Sequence, residues 1–184
     1  IGNYLGAIQR WVRLQSQTTN YFCVVDLHAL TIRQDPEELH ANTLRVAKNA
    51  PHFLVQAEAA LGFPIEVIAG REEARLIYVG VAHTLPNPHK QQLVVDIGGG
   101  STEFVIGKSF KPIALESLYM GCVSYSLKHF PNGRIDKRGL REAELAAQKE
   151  IQTITHAYRE IGWEEAVGSS GSAKALVDIL ELNG

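Results

Sequence analysis

An α/β fold is the class this sequence predicts. Short apolar runs rich in β-branched residues alternate with stretches whose apolar positions recur at helical spacing, and glycine or proline breaks separate them. The 184 residues, 45% of them hydrophobic, suffice for one good core or two small ones. A net charge of −2, from 18 basic and 20 acidic side chains, supplies no basic field to draw in nucleic acid or an anionic membrane. Cys23 and Cys122 stand far apart without paired spacing. That argues against a zinc site or disulfide framework and for a reducing, cytoplasmic setting. No apolar run approaches the roughly 20 residues of a membrane span, and no basic-then-apolar leader is present, so neither is expected. The chain starts at Ile1 inside what reads as a continuing motif, as a fragment would.

Taken in order, Leu5, Ile8, Trp11, Val12 and Leu14 mostly follow helical spacing and predict a helix before the polar break at 16–20. Residues 21–27 are short, apolar and rich in aromatic and β-branched types, which suits a buried parallel strand. Asp35-Pro36-Glu37-Glu38 combines an N-cap, a proline at the first helical position and early acids, opening a helix through Leu44 and Val46. A second helix over 53–61 stops at Gly62, followed by a strand over 65–68 and a turn at Ala69-Gly70. The next helix covers 71 to about 83. Leu85-Pro86-Asn87-Pro88 cannot continue it and is read as a loop and candidate domain boundary. Runs 92–97 and 102–106 flank Gly98-Gly99-Gly100-Ser101 and predict a hairpin. A strand near 112–116 follows. From 136 to 158, Leu140, Ala143, Ala147, Ile151, Ile154 and Tyr158 form one stripe of an amphipathic helix closed near Gly162. The last portion is a strand, then Gly168-Ser169-Ser170-Gly171-Ser172, then a helix from about 173 to 182. There is no internal repeat or low-complexity tract.

The strongest chemical signal is the predicted hairpin. Consecutive glycines let successive backbone N–H groups converge on one point and let an anion approach the main chain; Ser101 and Thr102 add hydroxyls there. A strand rather than a helix follows the loop, which excludes a P-loop or a dinucleotide fingerprint and leaves a phosphate-gripping hairpin or an ordinary tight turn. Asp96 and Glu103 bracket the loop and would repel a bare phosphate. Magnesium, which takes one or two carboxylates together with waters and phosphate oxygens, resolves that conflict. In the helix from 71, Glu73 shares a stripe with Leu76, Ile77 and Gly80, whereas Glu72 points about 100° away. A carboxylate lining a cleft suits proton abstraction from water, while a glutamate paired with Arg75 is the plainer alternative. Gly168, Ser170, Gly171 and Ser172 precede a helix, where free N–H groups and the dipole favour phosphate, although a serine-capped helix start has the same letters. The seven histidines show no ligand spacing, and no serine has the partners of a nucleophilic hydrolase.

Gly70-Arg71-Glu72-Glu73-Ala74-Arg75, Asp96-Ile97-Gly98-Gly99-Gly100-Ser101-Thr102-Glu103, Met120-Gly121-Cys122-Val123-Ser124 and Gly168-Ser169-Ser170-Gly171-Ser172 occur in one order. That order resembles the exopolyphosphatase / guanosine pentaphosphate phosphohydrolase (Ppx/GppA) family over residues 41–184. The resemblance implies part of the two-domain actin, sugar-kinase and Hsp70-like (ribonuclease H-like) fold, with the active site in the interdomain cleft. It further implies Mg²⁺-dependent hydrolysis of terminal phosphoanhydride bonds in polyphosphate or guanosine pentaphosphate. By the same resemblance Glu73 is the base that activates water, Asp96 and Glu103 serve magnesium, the loop between them grips phosphate, and Arg45 of Thr43-Leu44-Arg45 helps bind it. A homodimer is left open.

The first phosphate loop of that family, Asp-Leu-Gly-Ser-Asn-Ser, is absent; Val25-Asp26-Leu27-His28-Ala29 begins similarly but lacks the glycine and the small hydroxyl residues. Instead Ile1-Gly2-Asn3-Tyr4-Leu5-Gly6-Ala7 and 23–33 resemble the nucleotide-binding start of tryptophanyl-tRNA synthetase. This alternative implies a Rossmann-like fragment with ATP near Gly2 and Asn3, and tRNA as partner. The expected organisation is therefore a synthetase-like fragment at 1–42, the end of a phosphohydrolase domain I at 43–92, and the first part of domain II at 93–184. Such a composite joins two truncated sequences near 40–47, and impaired activity is expected of it.

Overall fold

The computed structural model describes Arg45, residues 48–86 and residues 89–183. The elements expected at 5–14 and 21–27, the helix from 35 apart from Arg45, and the positions Gly2 and Asn3 lie outside the described residues. The chain divides into two compact units, Ile1–Val67 and Ile68–Gly184.

In the first unit, helix α1 (Ala50–Leu61) starts three residues before the expected 53. Pro51 lies in its first turn, where the missing N–H costs nothing because first-turn N–H groups have no carbonyl within the helix to bond. The helix ends at Gly62, whose φ of 76° is left-handed and whose N–H donates to the Glu58 carbonyl at 2.8 Å. The strand expected at 65–68 does not form. A strand exists only in a ladder, and here the Ile65 N–H donates to Glu58 Oε1 at 2.8 Å, so a helix side chain engages the group a neighbouring strand would need.

In the second unit, α2 (Gly70–Thr84) is followed by β1 (Gln92–Ile97), β2 (Thr102–Lys108), β3 (Lys111–Leu118), α3 (Cys122–His129), α4 (Lys137–Ile161), β4 (Glu165–Ser169) and α5 (Ser170–Asn183). The strands form one mixed sheet in the order β3-β2-β1-β4, with β1 antiparallel to β2, β2 antiparallel to β3, and β1 parallel to β4. Side chains alternate across a strand, so each face has its own cover. On one face Ala74, Tyr78 and Ala82 of α2 pack on Val94 and Val105. On the other, Ile154 and Tyr158 of α4 pack on Ile106 and Leu118, and the Tyr158 hydroxyl donates to the Phe104 carbonyl at 2.7 Å. Gly107 is required by the first face, because a Cβ there would lie 2.2 Å from the Tyr78 ring.

The expected α4 stripe is buried at Ala143, Ile154 and Tyr158, but Leu140 is 46% exposed. Its first turn instead seats Gly139 against the His129 carbonyl, a contact that leaves no room for a side chain. Asp136 caps this helix by accepting from the Gly139 N–H at 2.7 Å. Helix α3 was not expected. It is eight residues long and contains no buried residue, so no apolar stripe announces it. At the carboxyl end, Gly168 and Ser169 belong to β4 rather than to a loop, and α5 begins at Ser170 instead of near 173. The Ser170 and Ser172 hydroxyls both donate to the Ile97 carbonyl at 2.9 Å, which ties the chain directly from strand to helix. Among the described residues no helix is long and apolar enough to cross a membrane.

Candidate phosphate and metal site

The β1–β2 hairpin sets Asp96 opposite Glu103, one register step before the loop. Val94 and Val105 lie two positions further along their strands and pack on α2, so both carboxylates share the α2 face. Glu103 is 2% exposed. Its carboxyl is pushed up to about 7, first by burial and then by the like charges of Glu73 and Asp96; hydrogen bonding from Ser117 and the nearby Ser101 hydroxyl pull the other way. The Ser117 Oγ donates to Glu103 Oε1 at 2.7 Å. Ser101 Oγ, in a residue 1% exposed, acts on the same carboxylate and makes no hydrogen bond among the described residues.

Glu73 enters this cluster from α2, near enough for its charge to disfavour ionisation of Glu103. The buried stripe of α2 is centred on Ala74, Tyr78 and Ala82, one position later than expected, so Glu73 lies on its flank with Ile77 and Val81, and Gly80 is exposed. Arg75 does not take Glu73 as partner: its guanidinium donates to Glu72 at 2.7 to 3.1 Å. Pairing of Glu73 with Arg75 in particular is therefore not seen.

The glycine loop is held from behind. Gly98 N–H donates to the Ser101 carbonyl at 2.9 Å, while the Gly98 carbonyl accepts from Cys122 N–H at 2.9 Å and the Gly99 carbonyl from Val123 and Ser124 N–H at 2.9 and 3.0 Å. The first turn of α3 thus grips the loop's carbonyls. Among the described residues the N–H groups of Gly99, Gly100 and Ser101 donate to nothing, although all three residues are buried. Three such donors in a row, in a loop without side chains at its glycines, make a place for an anionic acceptor from outside the protein. Gly121 allows the grip, since a Cβ there would stand 2.3 Å from the Gly99 carbonyl carbon and oxygen and 2.4 Å from Gly100 N.

Other expected phosphate contacts are placed differently. The Thr102 hydroxyl donates to the Met120 carbonyl, and those of Ser170 and Ser172 are engaged by Ile97. Gly168 pairs with Val95 inside the sheet, where a Cβ would meet that of Ala173 at 3.0 Å. The register Asp96↔Ser169 still sets the start of α5, which contains Gly171, at the same end of the sheet as the glycine loop. Arg45 is helical and belongs to the other unit. Ser117 and the α3 grip were missed: Ser117 has no motif around it, and Gly121 was noted only as part of a resemblance.

Among the described residues no three or more His, Cys, Asp or Glu side chains are grouped to cage a metal. The opposed pair Asp96 and Glu103 fits the sparser demand of Mg²⁺, one or two protein carboxylates with the remaining positions left to water and phosphate. Like charges gathered around a buried carboxylate are what a cation relieves.

With metal removed by EDTA, Glu103 should make stability fall as pH rises. Its folded value, about 7, lies above the ordinary 4.5, so the folded chain holds this proton more tightly than the unfolded one. That contribution is complete below about 4.5 and is lost as pH climbs through about 7, amounting to about 3 kcal/mol. Urea midpoints at about pH 5 and pH 8 should therefore differ more for the unsubstituted chain than for Glu103→Gln; equal differences would refute the assignment.

Residues 40–184 match the Ppx/GppA phosphatase family. Residues 1–68 match the class I tRNA synthetases (W and Y), so the two matches overlap. Among solved structures, the chain is similar to an exopolyphosphatase-like protein at 29% identity, with a TM-score of 0.66 over 71% of this chain and 43% of that one. It is similar to the type II variant of the Aquifex aeolicus Ppx/GppA phosphatase at 32% identity, with a TM-score of 0.51 over 71% and 41%. An exopolyphosphatase from Cytophaga hutchinsonii, at 22% identity and a TM-score of 0.65 over 75% and 44%, shares the fold. The chain spans less than half the length of these solved relatives.

Proposed function

This chain belongs to the Ppx/GppA phosphatase family, and from that premise we propose that its second unit carries part of a site for Mg²⁺-dependent hydrolysis of terminal phosphoanhydride bonds. The substrates are inorganic polyphosphate or guanosine pentaphosphate. The observation that carries this reading is the row of amides at Gly99, Gly100 and Ser101 with no acceptor among the described residues, beside the opposed carboxylates Asp96 and Glu103.

In this reading the three amides and the Ser101 hydroxyl donate to the oxygens of the terminal phosphoryl group and orient it. Donors already fixed by the α3 grip need no rearrangement as charge builds on those oxygens, which is where positioned amides contribute most. Water attacks phosphorus in line, Glu73 accepts its proton, the new P–O bond forms and the bridging P–O bond breaks, so the shortened chain leaves with the electron pair. Asp96 and Glu103 would hold Mg²⁺, which when bound neutralises charge on the phosphoryl oxygens. Burial of Glu103 excludes water from one side of the site.

Phosphate release from polyphosphate tests the proposal. The expected result is release with Mg²⁺ that stops on addition of EDTA. Pyrophosphate binding without release would leave a phosphate-binding remnant and overturn hydrolysis. The match at residues 1–68 supports a second reading, a synthetase fragment with ATP near Gly2 and Asn3. Tryptophan-dependent pyrophosphate exchange would establish it, and none is expected.

A further inference from the structure

We propose that Ser117 is a positioning residue for the metal site, orienting the Glu103 carboxylate toward the ion. The inference rests on the reading of Glu103 as a ligand to Mg²⁺. Ser117 is the cross-strand partner of Glu103 in the β2–β3 register, two positions from Leu115, which packs on the α2 face. The two side chains therefore share that face. Among the described residues the Glu103 carboxylate receives one hydrogen bond, from Ser117 Oγ to Oε1 at 2.7 Å.

That bond does two things at once. It fixes the rotation of a carboxylate on a buried strand, and it supplies a dipole favouring the ionised form that a metal requires. Among the described residues no other hydrogen bond to this carboxylate is seen. Ser101 Oγ stands nearby and favours the same ionised form without making a hydrogen bond, and the charges of Glu73 and Asp96 repel rather than orient. Outer partners of this kind set the aim of the ligand they bond, and losing one typically costs about 10- to 100-fold in metal affinity.

The test uses Mn²⁺ as a spectroscopic stand-in, with free ion counted by electron paramagnetic resonance in the presence of pyrophosphate. Ser117→Ala and Ser117→Val remove the hydroxyl; Ser117→Thr keeps it at nearly the volume of valine. Alanine and valine should weaken Mn²⁺ binding about 10- to 100-fold, and threonine should restore it to within about threefold. Because Thr and Val differ in little but the hydroxyl, a fold defect shared by both cannot mimic this pattern; unfolding in EDTA checks that each variant folds. Equal affinity across all four chains overturns the role of Ser117 and leaves the metal reading standing. If the unsubstituted chain binds no Mn²⁺ while pyrophosphate still binds, the metal reading itself fails and the proposal falls with it.

Discussion

Replacing Glu73 with glutamine is expected to lower kcat for phosphate release from polyphosphate by about 10²- to 10⁴-fold, with pyrophosphate affinity held within about twofold. Glutamine keeps the shape of the side chain on the flank of α2 and removes only its capacity to accept a proton. Glu73 stands close enough to the carboxylates of the hairpin for its charge to act on Glu103, and Arg75, its neighbour in sequence, is bonded to Glu72. A neutral residue at 73 also removes one like charge from beside Glu103, so metal affinity should not fall. The split matters: lost turnover with kept binding marks a group acting in the transition state, whereas parallel loss of both marks damage to the seat. Unchanged kcat removes Glu73 from the mechanism.

Gly121→Ala should have the second large effect, through the main chain. Its Cβ would stand 2.3 Å from the carbonyl group of Gly99 and 2.4 Å from Gly100 N. Those are backbone atoms, and they cannot swing aside as a side chain can. Relief requires moving the loop away from α3, which breaks the bonds from Cys122, Val123 and Ser124 that turn its carbonyls. The expected cost is about 1–3 kcal/mol of stability, together with at least roughly tenfold weaker pyrophosphate binding. Gly80→Ala is the control: it lies within α2 with nothing inside 4 Å of its Cβ. Alanine there should be neutral or stabilising by up to about 1 kcal/mol. Pyrophosphate affinity unchanged in Gly121→Ala would separate the grip from the phosphate seat.

The contrast between these two glycines shows what was legible in the sequence. Local signals carried the helices that bury a stripe or stop at a glycine, and the two strand-like runs around Gly98–Ser101 put Asp96 and Glu103 on either side of the loop, where the register pairs them. The helical projection brought Glu73 to the packed side of α2, although it centred the stripe one residue early. What failed depended on partners distant in sequence. Whether residues 65–68 form a strand depends on a neighbour to pair with, and whether the hydroxyls of Thr102, Ser170 and Ser172 are available depends on carbonyls at Met120 and Ile97. Helix α3 escaped for the same reason: its work is done by its first three amides on a loop more than twenty residues earlier, not by an apolar face. Ser117 became visible only through strand register.

Titration calorimetry of pyrophosphate, run with and without Mg²⁺, reads most directly whether the hairpin seats a metal-bridged phosphoryl group. Pyrophosphate should bind at least about tenfold tighter with Mg²⁺, a coupling of about 1.4 kcal/mol, and the gain should vanish in Asp96→Asn/Glu103→Gln. Affinity indifferent to Mg²⁺, or a gain that survives loss of both carboxylates, would contradict a metal-bridged seat at this loop.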